Sequence, residues 1–209
     1  MTRGTDGLRE RKKRATRIAL SWAAIRLAVE HGVDGVRVED IAESAGVSLR
    51  TFRNYFSSKA EAIAARHADR AMLIAEELRA RPADEPLWTA ITAAVLARFA
   101  VDLDGAGERG TSTEPDQQWI AGVRLMVSDP ALQGELQKAN AAAQAALAEA
   151  IAERTATGPN EIGPQLVAAA VGAALTVATD QWMRTDPPTS LAALLREVLQ
   201  RLESGLPIP

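Results

Sequence analysis

Side chains that bond well to nucleic acid are concentrated in one short stretch of the chain, from Ser48 to Lys59. Arginine can form two hydrogen bonds with guanine, and asparagine can form two with adenine, each pair giving about 1–3 kcal/mol of discrimination between bases. Hydroxyl and ammonium groups suit phosphates, which set the register of a protein on the duplex without reading its sequence. The candidate base-reading residues are Leu49, Arg50, Arg53 and Asn54. The candidate phosphate-holding residues are Arg37, Ser48, Thr51, Tyr55 and Lys59.

Two short helices are predicted to position these groups, one over residues 38–45 and one that begins after Ser48. Gly46 suits the corner between them because glycine reaches positive φ without a Cβ clash. Ser48 is predicted to cap the second helix by accepting a bond from an orphan backbone N–H. The predicted core of the pair is Ile41, Val47, Phe52 and Phe56. This pattern is typical of a helix-turn-helix, whose second helix enters the DNA major groove.

Positive charge is concentrated at the amino-terminal end, although the whole chain of 209 residues carries a net charge of −3. Residues 1–59 contain 12 Lys and Arg against 7 Asp and Glu, a net +5, whereas residues 60–209 carry −8. Six of these cations cluster in the first turns of the first predicted helix: Arg9, Arg11, Lys12, Lys13, Arg14 and Arg17. We expect this cluster to contact phosphates. A solvated helix end is the alternative.

Composition and periodicity indicate an all-α fold. Apolar residues make up 47% of the chain and aromatic residues only 4%, so alanine, leucine and valine fill the interior. Helical periodicity predicts nine helices. Besides the two short ones, they lie at about residues 8–31, 57–79, 87–103, 116–127, 130–155, 165–184 and 190–204. Residues 1–7 are predicted to be a flexible arm, and residues 104–115, rich in Gly, Ser and Thr, a loop.

Other functional classes lack the residues that they need. The chain has no cysteine, which excludes disulfides and thiolate metal sites and fits a cytoplasmic protein. Two distant histidines and no phosphate-cradling glycine loop offer nothing for catalysis, so we expect neither an enzyme nor a cofactor or metal. No amino-terminal apolar run resembles a signal peptide. The most apolar stretch, residues 166–178, is shorter than the roughly 20 residues that span a bilayer, so no membrane contact is expected.

A longer motif extends over about residues 10–60 and includes both short helices. The block GV…V.DIA..AGVS..TF..YF.SK, preceded by L.VEHG, resembles the DNA-binding domain of TetR-type transcriptional regulators over about residues 10–60. The resemblance implies a DNA-binding domain over residues 1–56 and a ligand-binding and dimerisation domain over residues 57–209. Its matching positions place Leu49, Arg50, Arg53 and Asn54 near bases. They place Thr51, Tyr55 and Lys59 at the DNA backbone.

Two departures from the family pattern affect this carry-over. Val36 and Arg37 replace the common Thr-Thr pair before the second helix, which removes a hydroxyl cap and adds a cation suited to phosphate. Arg53 replaces a frequent tyrosine or phenylalanine, which adds a possible guanine contact. The sequence preference of other members therefore does not carry over to this chain.

The carboxyl-terminal part resembles one subset of the family. The pattern W-x4-R-L-M-x-S-D-P-x-L from Trp119, then AIAERT and a helix ending in Gln181-Trp182, is similar to an actinobacterial subset associated with the mycofactocin regulator and an acyl-CoA-like ligand domain. The candidates for lining an apolar pocket are Trp88, Phe99, Trp119, Val123, Met126 and Trp182. Ordinary core packing is the alternative for each. The expected effector is a small apolar or amphipathic molecule, such as an acyl-CoA or a fatty acid.

The last two helices are suited to close contact with another helix. Small residues over 168–174 leave little side-chain bulk, and a leucine-rich stripe runs over residues 191–202. These features close the core of one chain or, as the resemblance implies, form a four-helix bundle in a homodimer. Two recognition helices would then meet major grooves about 34–36 Å apart on a palindromic operator of double-stranded DNA.

The predicted function is sequence-specific transcriptional regulation by a homodimer, as a repressor that its ligand releases. The alternative is a ligand-blind helical protein that shapes DNA or binds other proteins.

Overall fold

The computed structural model describes residues 3–103, 117–184 and 190–206, with side chains for 8–98, 120–184 and 190–206. Within these ranges the chain forms nine helices and no strand, which confirms the all-α prediction. The first five helices are α1 (Arg3–Gly35), α2 (Val38–Ser44), α3 (Leu49–Arg53), α4 (Lys59–Ala80) and α5 (Leu87–Leu103). The other four are α6 (Gln117–Ser128), α7 (Pro130–Thr155), α8 (Ile162–Arg184) and α9 (Leu191–Glu203).

Two helices begin earlier than predicted. α1 begins at Arg3, so the expected flexible arm is wrong for residues 3–7; the good helix formers in residues 8–14 favour extension of the helix toward the amino terminus. α8 begins at Ile162 rather than Gln165, because Pro164 lies in the first turn, where its missing N–H has no helical partner to lose. The predicted loop over residues 104–115 lies outside the described residues.

The contacts of the chain divide it into two compact units. The first comprises Met1–Ala68 and Gln117–Ala139, and the second Asp69–Asp116 and Asn140–Pro209. The first unit therefore holds α1 to α3 together with α6 and the beginnings of α4 and α7. The boundary between residues 56 and 57, expected from the sequence, stays a prediction about domains.

The first unit is built around α1, which packs against α2 and α6. Its buried side chains include Leu20, Ile25, Ile41, Phe52 and Ile63. α1 is kinked at Gly32, which has a φ of +73° and directly follows the predicted end of the helix at residue 31. α6 approaches α1 closely at Gly122: a Cβ built there would lie 2.8 Å from Cγ2 of Ile25. The absence of a side chain at residue 122 allows this approach.

We expect Gly122→Ala to lower the free energy of unfolding of the chain by about 1–3 kcal/mol, the usual effect of overpacking. The contacting methyl belongs to Ile25, which is buried and β-branched and therefore has little freedom to move aside. Gly134→Ala on exposed α7 is the matched control, because nothing lies within 4 Å of the added carbon. This control is expected to gain up to about 1 kcal/mol from helix propensity. Equal stabilisation of both variants in urea unfolding would contradict the close α1–α6 contact.

The second unit packs α9 against α5 and α8. α9 buries Leu191, Leu195 and Leu199, and Ser190 caps it by accepting a bond from the Ala193 N–H. α8 is, among the described helices, the one long and apolar enough to cross a membrane by length and composition alone. The same length and composition occur in the core helices of proteins that do not span a membrane, and six residues of α8, from Pro164 to Trp182, are buried. The length and composition of α8 are therefore only weak evidence for a membrane-spanning helix.

Candidate nucleic-acid interface

The corner before α3 is fixed by backbone bonds and by one hydroxyl. Gly46 has a φ of +68°, the left-handed conformation predicted for it. The Val47 N–H donates to the Ala42 carbonyl at 2.9 Å, which closes the turn. Ser48 Oγ accepts from the Thr51 N–H at 3.1 Å and lies 2.9 Å from Thr51 Oγ1. Ser48 is therefore the N-cap of α3, as predicted from the sequence.

An aromatic pair holds α3 against the rest of the first unit. Phe52 and Phe56 are each 1% exposed, and their ring centroids lie 5.8 Å apart. Ile41 of α2 is fully buried, whereas Val47 is half-buried. The predicted small core is thus present, with Val47 at its margin. Because Phe52 faces inward, the opposite side of α3 faces solvent.

Three predicted base-reading side chains are exposed on that side: Arg50, Arg53 and Asn54. Leu49 is half-buried at the first position of the helix. α3 has only five residues, so Asn54 is its C-cap and Tyr55 follows it. The Asn54 N–H still donates to the Arg50 carbonyl at 3.2 Å, which keeps Asn54 one turn from Arg50. The arrangement presents two guanidinium groups and one amide on a single short exposed segment.

Two candidate phosphate-holding groups already have partners within the chain. Ser48 Oγ serves the cap, and Lys59 Nζ donates to the Val36 carbonyl at 3.0 Å and to the Asp34 carbonyl at 3.5 Å. Lys59, the first residue of α4, thereby ties that helix to the turn between α1 and α2. Nothing in the local sequence indicated this bond. The phosphate-binding roles of Ser48 and Lys59 stay predictions.

The start of α2 compensates for its missing hydroxyl cap. Arg37 occupies the N-cap, and Asp40 Oδ2 accepts from the Arg37 backbone N–H at 3.1 Å. This bond is the carboxylate half of a capping box, which was not predicted from the sequence. The residue at 37 is therefore free to be a cation, and Arg37 is exposed at the amino-terminal end of the helix. Thr51 and Tyr55 are half-buried.

Two α1 residues support the aromatic pair and α4: Arg17, which was expected to contact phosphates, and Ser21, for which no role was predicted. The Arg17 guanidinium carbon lies 4.7 Å from the centroid of the Phe56 ring, in cation–π geometry. Buried Ser21 donates its hydroxyl to the Ala62 carbonyl at 2.7 Å. A serine within the apolar stripe of the first helix was the available signal for the second contact. Both residues act on α3 indirectly, Arg17 through the ring of Phe56 and Ser21 through α4.

The candidate pocket residues are divided between the two units. Val123 and Met126 are buried in the first unit. Trp182 is buried and Trp88 half-buried in the second. The side chains of Phe99 and Trp119 lie outside the described residues. The pocket stays a prediction. In the part of the chain with described side chains, no group of three or more His, Asp and Glu is placed to hold a metal ion.

A short helix that is capped, backed by buried aromatics and exposed on its cationic side is the recognition element of a helix-turn-helix DNA-binding protein. Comparison with known proteins supports this class. Residues 22–65 match the family described as bacterial regulatory proteins, tetR family, and residues 85–207 match the MftR C-terminal domain. The chain is 33% identical over 192 residues to the HTH-type transcriptional regulator TcmR of Streptomyces glaucescens, covering 90% of this chain and 81% of TcmR.

The chain belongs to the TetR family of transcriptional regulators, and its carboxyl-terminal part is of the MftR type. Solved structures agree on the fold. The fatty acid degradation regulator FadR from Bacillus halodurans has a TM-score of 0.61 at 18% identity, over 93% of this chain and 97% of that one. Thermus thermophilus FadR, a repressor in complex with lauroyl-CoA, has a TM-score of 0.53 at 19% identity, over 92% and 96%. Both resemblances predicted from the sequence are confirmed.

Proposed function

We propose that this regulator is a homodimeric repressor that binds a palindromic operator and leaves it when a small apolar or amphipathic effector binds. The observation that carries the proposal is the exposed side of α3, with Arg50, Arg53 and Asn54 held outward by buried Phe52. Arginine and asparagine are the side chains best suited to guanine and adenine in the major groove. Because its target is chromosomal DNA, the protein acts in the cytoplasm.

An exposed apolar side of α8 supports the homodimer. Ile162, Leu166 and Val177 are 83%, 65% and 59% exposed, and Gly172 and Ala173 between them are exposed as well. The buried residues Ala168, Val171 and Ala178 face the opposite way, toward the second unit's core. An exposed apolar helix side with little bulk at its centre suits a second copy of itself across a two-fold axis.

We expect Leu166→Arg with Val177→Arg to convert the dimer to a monomer, because two cations in each copy would meet at the apolar contact. Operator affinity should then fall by about 10²-fold or more, since the two half-sites are no longer bound by linked recognition helices. Sedimentation velocity and operator binding check the two effects. Gln144→Arg, on an exposed position of α7, is the matched control. A wild-type chain that sediments as a monomer would remove this part of the proposal.

The effector class is supported by the family of the carboxyl-terminal part. The residues matched to the MftR C-terminal domain, 85–207, include all six candidate pocket positions, from Trp88 to Trp182. A structural relative binds lauroyl-CoA. We infer that an acyl-CoA or a fatty acid shifts the dimer toward a conformation in which the two α3 segments no longer match successive grooves.

The test is binding of a labelled operator, selected from random-sequence DNA by the wild-type chain, at increasing salt concentration. A regulator of this kind binds the selected sequence far more tightly than other DNA and loses affinity as salt rises. Weak binding that is indifferent to both sequence and salt would exclude the function. Thermal shift with acyl-CoAs and fatty acids tests the effector, because a ligand of the folded state raises the melting temperature by mass action. Specific DNA binding without any such shift would favour the ligand-blind alternative.

A further inference from the structure

We propose that residues 8–15, here called the basic extension, form a second DNA-contacting surface that binds phosphates flanking the base pairs read by α3. This proposal rests on the proposed function and extends it, because it assigns a partner to a part of α1 that the helix-turn-helix does not use. The basic extension contains Arg9, Arg11, Lys12, Lys13 and Arg14 against one acidic residue, Glu10, a net +4.

The basic extension is helical but takes no part in the core. All eight of its residues are exposed, the next four are half-buried, and the first buried side chain among those described in α1, from residue 8 onward, is Leu20. At 1.5 Å per residue, these eight residues carry the helix about 12 Å beyond its packed part. Because these eight residues bury no side chain, packing within the chain does not stabilise this part of the helix. Its exposed side chains are available to bind a partner.

The charge pattern works against the helix in isolation. Arg9, Lys13 and Arg17 recur every four residues, and like charges at that spacing destabilise a helix by about 0.2–0.5 kcal/mol per pair. Among the described side chains, no ion pair neutralises any of the five cations of the basic extension. An anionic partner converts this repulsion into attraction, which makes a polyanion the complementary ligand.

Arg9, Lys13 and Arg17 form a row of cations along α1, and the contact between Arg17 and Phe56 shows where this row begins. Residues spaced by four lie on one side of a helix, so Arg9 and Lys13 share a side with Arg17. The Arg17 guanidinium lies over the ring of Phe56, three residues after the last residue of α3. The row of cations therefore begins beside Phe56, close to the end of α3, and leads away from it. The whole row and α3 belong to the first unit.

The length and chemistry of the row fit the backbone of the duplex. Phosphates follow each other at about 3.4 Å of helix axis per strand, so a 12 Å segment spans about three to four base pairs. Lysine and arginine side chains on a helix that lacks asparagine and glutamine over residues 8–15 suit phosphates better than base edges. The contact is expected to add affinity and salt dependence without changing which bases are preferred.

The test compares the wild-type chain with a variant carrying Arg9→Gln, Lys12→Gln and Lys13→Gln on two duplexes. Both duplexes contain the selected operator; one ends at its edges and the other continues for about one helical turn on each side. We expect the wild type to bind the long duplex more tightly and the variant to bind both equally, with the wild-type affinity for the short one. On the long duplex the log–log salt slope of the variant should be shallower by about 2.7 per extension that engages, from three lost phosphate contacts.

Three further variants and measurements make the outcome decisive. Lys138→Gln with Arg196→Gln and Arg201→Gln removes the same charge from exposed positions elsewhere and should behave as the wild type. Arg9→Lys with Lys12→Arg and Lys13→Arg keeps the charge and should retain the preference for the long duplex. An unchanged thermal midpoint shows that the glutamine variant is folded.

A glutamine variant that keeps the wild-type preference and salt slope would overturn the proposal, and so would an equal loss of affinity on both duplexes. Binding to vesicles of anionic lipid that only the glutamine variant loses, with DNA binding unchanged, would assign the surface to a membrane instead. These results are separate from failure of the proposed function, in which the wild type would select no operator at all.

Discussion

Replacing Phe52 with alanine is expected to lower the free energy of unfolding by about 3–5 kcal/mol and to abolish specific DNA binding. Phe52 is 1% exposed and packs on the ring of Phe56, while Ile41 of α2 is fully buried in the same small core. Removal of its ring leaves a cavity beneath a helix of five residues, which has no other buried side chain to hold it in place. Urea unfolding followed by circular dichroism measures the first effect and operator binding the second.

Phe52→Leu is the control for this result, because it keeps an apolar side chain at the same position. It should lose less stability than the alanine variant and retain measurable operator affinity. Hydrogen exchange should locate the difference, with faster exchange over residues 38–56 in the alanine variant. Normal operator affinity in Phe52→Ala would show that the exposed side of α3 does not depend on its buried side, contrary to the geometry described above.

The second large effect is expected on base preference. Arg50→Ala and Asn54→Ala should each cost about 1–3 kcal/mol of binding to the preferred operator and relax the choice of base at one position. Both side chains are exposed, one turn apart. Affinity measured on a panel of single-base operator variants checks the loss of discrimination. Arg184→Ala, at the exposed carboxyl-terminal end of α8, provides a comparison outside α3.

Lys59→Ala is expected to weaken binding to all sequences alike, and its salt dependence separates two causes. If Lys59 binds a phosphate, the log–log salt slope falls by about 0.9. If it acts by holding the turn between α1 and α2 through the Val36 and Asp34 carbonyls, affinity falls while the slope is unchanged. Equal losses on every DNA for Lys59→Ala, Arg50→Ala and Asn54→Ala would contradict the division between base-reading and phosphate-holding residues.

Much of the recognition element was predictable because its determinants are local. Gly46 and Ser48 impose a corner and a cap through their own backbone and side-chain chemistry, and the spacing of Phe52 and Phe56 assigns the buried side of α3. Helical periodicity likewise predicted α5 and α7 at their observed bounds. The resemblance to the TetR family added the subset of the carboxyl-terminal part, which the residues alone did not indicate.

What was missed depends on residues far apart in the chain. Neither the contact of Gly122 with Ile25 nor the bonds of Lys59 to the α1–α2 turn leaves a periodic or compositional mark. The end of α3 at Arg53, with Asn54 as the C-cap, was not predicted, whereas the exposure of the Asn54 side chain was. Pocket-lining residues are the least predictable from sequence, since apolar side chains serve a cavity and a packed core equally well.

Because α3 is so short, its base-reading function cannot be transferred to another protein as an isolated segment. A segment of five helical residues lies far below the roughly 12–15 at which an isolated peptide becomes helical in water. A synthetic copy of residues 48–56 would therefore be a random coil, with its guanidinium groups spread over many orientations. Transferring those nine residues into another protein should fail to transfer operator choice unless α1 and α2, which pack around α3 and its aromatic pair, are transferred with them.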